Sequence, residues 1–220
     1  MDPEFWRARW RKGEIGFHQP HATPALVRHA DRLSSDPRDR ILLPLCGKTL
    51  DLIFLSGRGH PVIGVEVVEE ALEAFFKENA LSVERGQAGP HRKLFSPGIT
   101  GVVADFLRVE AGDIGGPVQG IFDRGALVAV PPETRSRYAE RELGLLAPGG
   151  RILLVAFEYD TARHSGPPFS VGEEVIREHY SAAASIERLE RRDIIEEEPR
   201  FKQRGLDWLE ESVWLITQSA

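Results

Sequence analysis

The stretch Ile41-Leu42-Leu43-Pro44-Leu45-Cys46-Gly47-Lys48-Thr49-Leu50-Asp51-Leu52 constrains the fold of this chain more than any other. A short apolar run bounded by a turn residue reads as a buried strand, and beyond the glycine Leu50, Ile53 and Phe54 can share one helix face. Nineteen residues past Gly47 a second apolar run, Pro61-Val62-Ile63-Gly64-Val65, ends in Glu66. Strand, glycine turn, helix and second strand ending in an acid make up the βαβ unit that binds nucleotide-like cofactors, the acid accepting from ribose hydroxyls.

The pattern continues. Gly101 to Ala104, Gly120 to Asp123 and Arg151 to Phe157 are further strand candidates. Leu72, Phe75 and Phe76, and later Tyr138, Leu145 and Leu146, form helical core stripes between them. Alternating strands and helices predict an α/β fold, a mostly parallel sheet with helices on both faces. Ile186 to Ile195 and Ser212 to Thr217 read as longer strands around a charged, turn-rich stretch, Glu196 to Asp207, which suits an antiparallel edge. Glu196, Glu197 and Glu198 read as a solvated face. At 220 residues the chain is expected to form one domain, 1–220. Its first 22 residues, with Phe5, Trp6, Trp10 and Phe17 ahead of the first strand, are expected to form a lid over the site.

A net charge of -6 and a pI near 5.7 argue against a nucleic-acid partner, which needs a concentrated basic surface. No run approaches the ~20 apolar residues of a membrane span. Cys46 is the single cysteine, so no internal disulfide can form and a reducing compartment fits. The expectation is a cytoplasmic monomer without membrane or nucleic-acid partners. His18 and His21 lack the companions that metal binding requires, and no metal site is expected.

Three cofactors share the βαβ layout. A triphosphate loop needs Gly-x-x-x-x-Gly-Lys-Ser/Thr, and Gly47-Lys48-Thr49 matches its end, but Leu42 stands where the first glycine belongs. A dinucleotide would need Gly-x-Gly-x-x-Gly, of which only Gly47 is present. S-adenosylmethionine keeps the ribose and drops the phosphates, so one glycine and Glu66 suffice. Val103-Ala104-Asp105-Phe106 places an acid at a strand end where it can accept from the adenine amino group, with Phe106 packed on the ring. Cys46, beside a turn, reads as a small buried apolar residue.

The chain resembles the thiopurine S-methyltransferase family. The likeness is carried by Trp6-x-x-x-Trp10, Gly16-Phe17-His18-Gln19, Pro44-Leu45-Cys46-Gly47-Lys48, Gly59-His60-x-Val62-x-Gly64-Val65-Glu66 and Phe75-Phe76. It continues through Asp123-Arg124-Gly125-Ala126-Leu127-Val128-Ala129 and Tyr159-Asp160-x-x-x-His164-x-Gly166-Pro167-Pro168-Phe169. The resemblance implies a Rossmann-like class I methyltransferase with a seven-stranded sheet, using S-adenosyl-L-methionine to methylate small thiols or related soft nucleophiles. Selenium or tellurium acceptors are a possible extension. A halide or thiocyanate methyltransferase and a non-catalytic adenosylmethionine-binding module are the alternatives. The resemblance further implies that Trp6, Phe17, Leu45, Ala104 and Arg124 meet the cofactor alongside Gly47, Glu66, Asp105 and Phe106. Trp10, Phe17, Arg124 and Arg200 would border the acceptor, with Arg124 the residue expected to act in catalysis. His18 is expected to brace the lid and His164 to anchor the loop before Gly166.

Overall fold

The computed structural model describes residues 3–220; Met1 and Asp2, where the expected domain and lid begin, lie outside the described residues. β1 (Ile41–Pro44) and β2 (Val62–Glu66) fill the two predicted strand positions, and every residue of both is buried. A strand buried on both faces must be sandwiched between two layers. In β1, Leu42 packs into one hydrophobic cluster while Ile41 and Leu43 pack into the other. The period-two alternation of a strand thus divides its side chains between two cores.

Helices supply the covering layers. α1 (Pro3–Arg11) precedes α2 (Pro24–Leu33), which carries proline in its first turn and buries Ala25, Leu26, Ala30 and Leu33. α3 (Asp51–Gly57) follows β1, and α4 (Glu69–Glu78) follows β2, burying Leu72, Phe75 and Phe76 as their spacing predicts. In α3 the buried pair is Leu52 and Leu55, whereas Ile53 and Phe54 flank the core half-buried and Leu50 precedes the first turn. The Asp51 carboxylate fixes this rotation. It accepts from Thr23 N at 2.6 Å, Thr23 Oγ1 at 2.9 Å and Thr49 Oγ1 at 2.8 Å, which turns the start of α3 toward the end of the N-terminal segment.

The remaining elements are β3 (Glu84–Ala88), β4 (His91–Ser96), β5 (Ile99–Val103), β6 (Val118–Arg124), α5 (Arg135–Leu145), β7 (Leu146–Glu158), α6 (Glu173–His179), β8 (Ser185–Asp193), α7 (Pro199–Gln203) and β9 (Glu210–Thr217). Among the described residues the strands form one sheet in the order β3-β4-β5-β2-β1-β6-β7-β9-β8. β5, β2, β1, β6 and β7 run parallel, with Leu42 paired to both Ile63 and Ile121. β9 inserts antiparallel between β7 and β8, forming the expected C-terminal edge.

The fold class is the one expected, a class I methyltransferase sheet with antiparallel C-terminal strands. Its sheet carries nine strands where seven were expected, because the antiparallel pair β3 and β4 extends the opposite edge. β7 also starts earlier than expected: Leu146 belongs to the strand, and the Pro148-Gly149-Gly150 turn lies within it, with Gly149 at φ +71°. The stretch 196–207 is not wholly irregular, since it contains α7. From β1 the chain moves outward to β2 and β5 on one side, then crosses to β6 and β7 on the other. The crevice at such a switch point, at the carboxyl ends of the strands, is where open α/β sheets bind ligands.

Candidate active site

One cavity opens at the carboxyl ends of β1, β2, β5 and β6, and all eleven site residues read from the sequence line it: Trp6, Trp10, Phe17, Leu45, Gly47, Glu66, Ala104, Asp105, Phe106, Arg124 and Arg200. Their convergence follows from the sheet register. Glu66 pairs with Val103, so the acid ending β2 lies beside the Ala104–Phe106 segment that leaves β5. β1 ends between them in a left-handed turn, with Leu45 at φ +47° and Gly47 at φ +53°. A non-glycine residue in that region costs roughly 1–2 kcal/mol, and here it bends the chain across the cavity floor. A side chain at position 47 would also press on Trp10, since its Cβ would lie 3.1 Å from the indole.

Glu66 is buried and its carboxylate is held from both sides. Gly47 N donates to Oε2 and Val68 N to Oε1, each at 2.9 Å. Burial raises its pKa from the ordinary value, while the amides of Val68 and Gly47 pull in the opposite direction. A carboxylate has about four acceptor sites, so the group keeps capacity to accept from a ligand as well. Asp105 lines the cavity as well, and its Oδ1 also accepts from Leu107 N at 3.2 Å, capping a 3₁₀ turn. Phe106 is buried and stacks at 5.2 Å on Tyr138 while also facing the cavity.

The N-terminal segment forms the opposite wall. Trp6 and Trp10, four residues apart on α1, each meet Phe17 edge-on with ring centroids 6.0 Å away. Arg124, at the end of β6, donates through Nη1 to the Phe17 carbonyl at 2.7 Å. Arg200, on α7, donates to the Gly16 carbonyl and reaches Glu198 at 3.1 Å. Two arginines from distant parts of the chain therefore grip consecutive carbonyls of one segment. Desolvation lowers the Arg124 pKa, opposed chiefly by Asp51. An arginine keeps its charge under such shifts, so the cavity contains a fixed cation.

Several lining groups were not among the expected site residues. Among the described residues Arg9 Nε and Gln19 Oε1 are buried without hydrogen-bond partners, one donor and one acceptor in the wall of the cavity. Such groups cost about 1–3 kcal/mol each unless a ligand satisfies them. His18 also lines the cavity, where burial and then Lys48 lower its pKa. The acids at 196–198 are not simply a solvated face: Glu196 pairs with Lys202, Glu197 with Arg192, and Glu198 reaches the cavity beside Arg200. His164 packs on Tyr159 at 5.3 Å and on Phe201, anchoring its loop. Cys46 is buried, and desolvation pushes its thiol pKa well up, which disfavours the thiolate form.

The residues fit an adenosyl donor on a specific observation: a buried carboxylate with spare acceptor capacity beside a glycine turn and the apolar Ala104 and Phe106. Together with the five parallel strands and the antiparallel β9, they define a class I S-adenosylmethionine-dependent methyltransferase. The family model described as Thiopurine S-methyltransferase (TPMT) matches residues 1–219, and the chain belongs to that family. The thiopurine S-methyltransferase of Pseudomonas paraeruginosa is 41% identical over 216 residues, covering 98% of this chain and 99% of that one. That of Bordetella petrii is 41% identical over 216 residues, covering 98% of each. Among solved structures, Burkholderia thailandensis 1,6-didemethyltoxoflavin-N1-methyltransferase, with bound 1,6-didemethyltoxoflavin and S-adenosylhomocysteine, superposes with a TM-score of 0.67 at 18% identity. It covers 99% of this chain and 87% of that chain, a likeness of fold.

Proposed function

We propose that this enzyme methylates the sulfur of small aromatic or heterocyclic thiols, thiopurines among them, with Arg124 holding the acceptor as an anion. The observation that carries this reading is the cavity's combination of a half-buried arginine with an aromatic wall. Glu66 would hold the ribose of S-adenosylmethionine, with Leu45 and Gly47 beside its methionine portion and Ala104, Asp105 and Phe106 beside its adenine. Trp6 and Phe17 would close over it. Bound there, S-adenosylmethionine supplies an already activated electrophilic methyl group.

What remains for the chain is to orient the acceptor and exclude water. Orientation alone can supply ~7–11 kcal/mol of barrier reduction, so no dedicated base is required. Aromatic thiols and selenols ionise near neutral pH, and Arg124 would favour that ionised form. Trp10 and Phe17 would border the flat acceptor, and Arg200 would support it from α7. Residues up to 22 act as the lid in this reading, over one catalytic domain. A cytoplasmic monomer is consistent with the buried single thiol and with charged strands at both sheet edges.

Transfer of labelled methyl from S-adenosylmethionine to a panel of aromatic thiols, selenols, thiocyanate and halides tests the reading. The expected result is turnover of aromatic thiols, with Arg124→Ala lowering their kcat/KM by roughly 10–100-fold, the loss of one charge-assisted contact. Adenosylhomocysteine affinity should change little. Turnover of halide alone, or unchanged thiol kinetics in R124A, would contradict it.

A further inference from the structure

Behind the cavity lies a polar cluster that the reaction as described does not use. Asp123 on β6, Tyr138 and Glu142 on α5, and Tyr180 just beyond α6 are each 0% exposed. The Tyr138 hydroxyl donates to Asp123 Oδ2 at 2.7 Å. Leu127 N donates to both Asp123 oxygens at 3.1 Å, and Ala126 N to Oδ1 at 3.3 Å. Asp123 is therefore served by three donors. Glu142 has one, the Tyr180 hydroxyl on Oε2, while its Oε1 is buried with no donor to accept from among the described residues. The Glu142 and Asp123 carboxyls are nonetheless near enough for each to act on the other's ionisation.

Two carboxylates that near and sealed from water cannot both stay ionised. The proton resides on the one with fewer donors. Placed on Glu142 Oε1, it turns the orphaned acceptor into an O–H that donates to Asp123, and every group in the cluster is then satisfied. Asp123 in turn caps the turn that begins with Arg124, where Gly125 takes φ +75° and Ala126 and Leu127 point their amides back at the carboxylate.

We propose that Glu142 is a positioning residue for Arg124, holding one proton between its carboxyl and that of Asp123 and thereby fixing the turn from which Arg124 enters the cavity. The kinetic half of this proposal rests on the acceptor role given to Arg124 above. The cluster also has a pH signature. Burial pushes Asp123 up to about 6 and Glu142 well above its ordinary range, with Tyr138 and Tyr180 the other titratable groups facing the pair. At neutral pH the folded chain keeps a proton that the unfolded chain has released. Stability therefore falls as pH rises from the unfolded carboxyl range toward the raised folded value.

The test compares wild type with E142Q, whose amide can donate to Asp123 and accept from Tyr180 without a titrating proton, and with E142M, which has similar bulk and no donor. E142M should lose about tenfold in acceptor kcat/KM, mainly through KM, with adenosylhomocysteine affinity unchanged; E142Q should restore most of it. The melting temperature of E142Q relative to wild type should rise steadily from pH 5 to pH 9. Unaltered kinetics in a folded E142M, failure of E142Q to rescue, or a melting difference independent of pH would overturn the proposal. Should E142M fail to fold, the E142Q melting series decides. R124A kinetics matching wild type would instead sink the acceptor role of Arg124, leaving the shared proton to be judged by that series.

Discussion

Glu66 illustrates how much one position can carry. A carboxylate inside a β-strand core is costly, and this one is tolerated because backbone amides of Gly47 and Val68 meet it where the residue lines the cavity. In the proposed complex its remaining acceptor capacity takes the ribose hydroxyls. Glu66→Gln would remove the charge and one acceptor while keeping the shape. The expected outcome is a loss of roughly 10–100-fold in adenosylhomocysteine affinity by calorimetry, the worth of hydrogen bonds to a charged group. An unchanged Kd would remove Glu66 from the cofactor site. Positions such as Glu66 and Gly47 were legible in the sequence because a strand end and a glycine turn each demand a particular residue. Glu142 was not: on a helix bearing Arg137, Glu140 and Arg141, an acid reads as one more solvated charge. Arg9 was equally silent, since its burial depends on how α1 lies over the sheet.

At the level of elements, strands buried on both faces announced themselves, and the exposed pair β3 and β4 did not. β3 and β4 read Glu84-Arg85-Gly86-Gln87-Ala88 and His91-Arg92-Lys93-Leu94-Phe95-Ser96, with Leu94 alone fully buried. Nothing in such a polar run distinguishes a strand from a loop; the pairing to β5 makes it one. β8 is also largely exposed, and its charged edge discourages pairing with another chain. β8 is tied back to α2 through Glu190, which accepts from Arg28 Nε at 2.7 Å, Arg28 Nη2 at 2.5 Å and His29 Nε2 at 2.6 Å. The Arg28 hydrogen bond first, and then His29, holds the Glu190 pKa down to about 2. A depressed carboxylate contributes stability that is present above its unfolded value and lost as pH falls through the folded one. Glu190→Gln should therefore cost about 1 kcal/mol near pH 7 once solvent screening is allowed for. That corresponds to a drop of about 2–4 °C in melting temperature, closing near pH 2. A drop that persists at pH 2 would show packing, not charge, to be responsible.

Across the whole molecule, the N-terminal segment and the C-terminal third meet over the sheet's carboxyl edge, and the cavity exists because they do. Arg124 and Arg200 hold the Phe17 and Gly16 carbonyls, Asp51 holds Thr23, and Trp10 rests over Gly47. Among the described residues no helix is long and apolar enough to cross a membrane. The order of motifs along the chain made this closure foreseeable in outline, through aromatic residues ahead of the first strand and an arginine behind the fourth parallel one. It could not reveal that the arginines bind the segment's backbone as well as facing the cavity. If that arrangement serves catalysis, the acceptor must lie between the aromatic wall and Arg124, across from the ribose on Glu66. A crystal structure of the chain with S-adenosylhomocysteine and an aromatic thiol tests this most directly. The account predicts both ribose hydroxyls on the Glu66 carboxylate and the thiol sulfur facing Arg124 beside Trp10 and Phe17. A nucleoside bound away from Glu66, or an acceptor out of reach of Arg124, would contradict it.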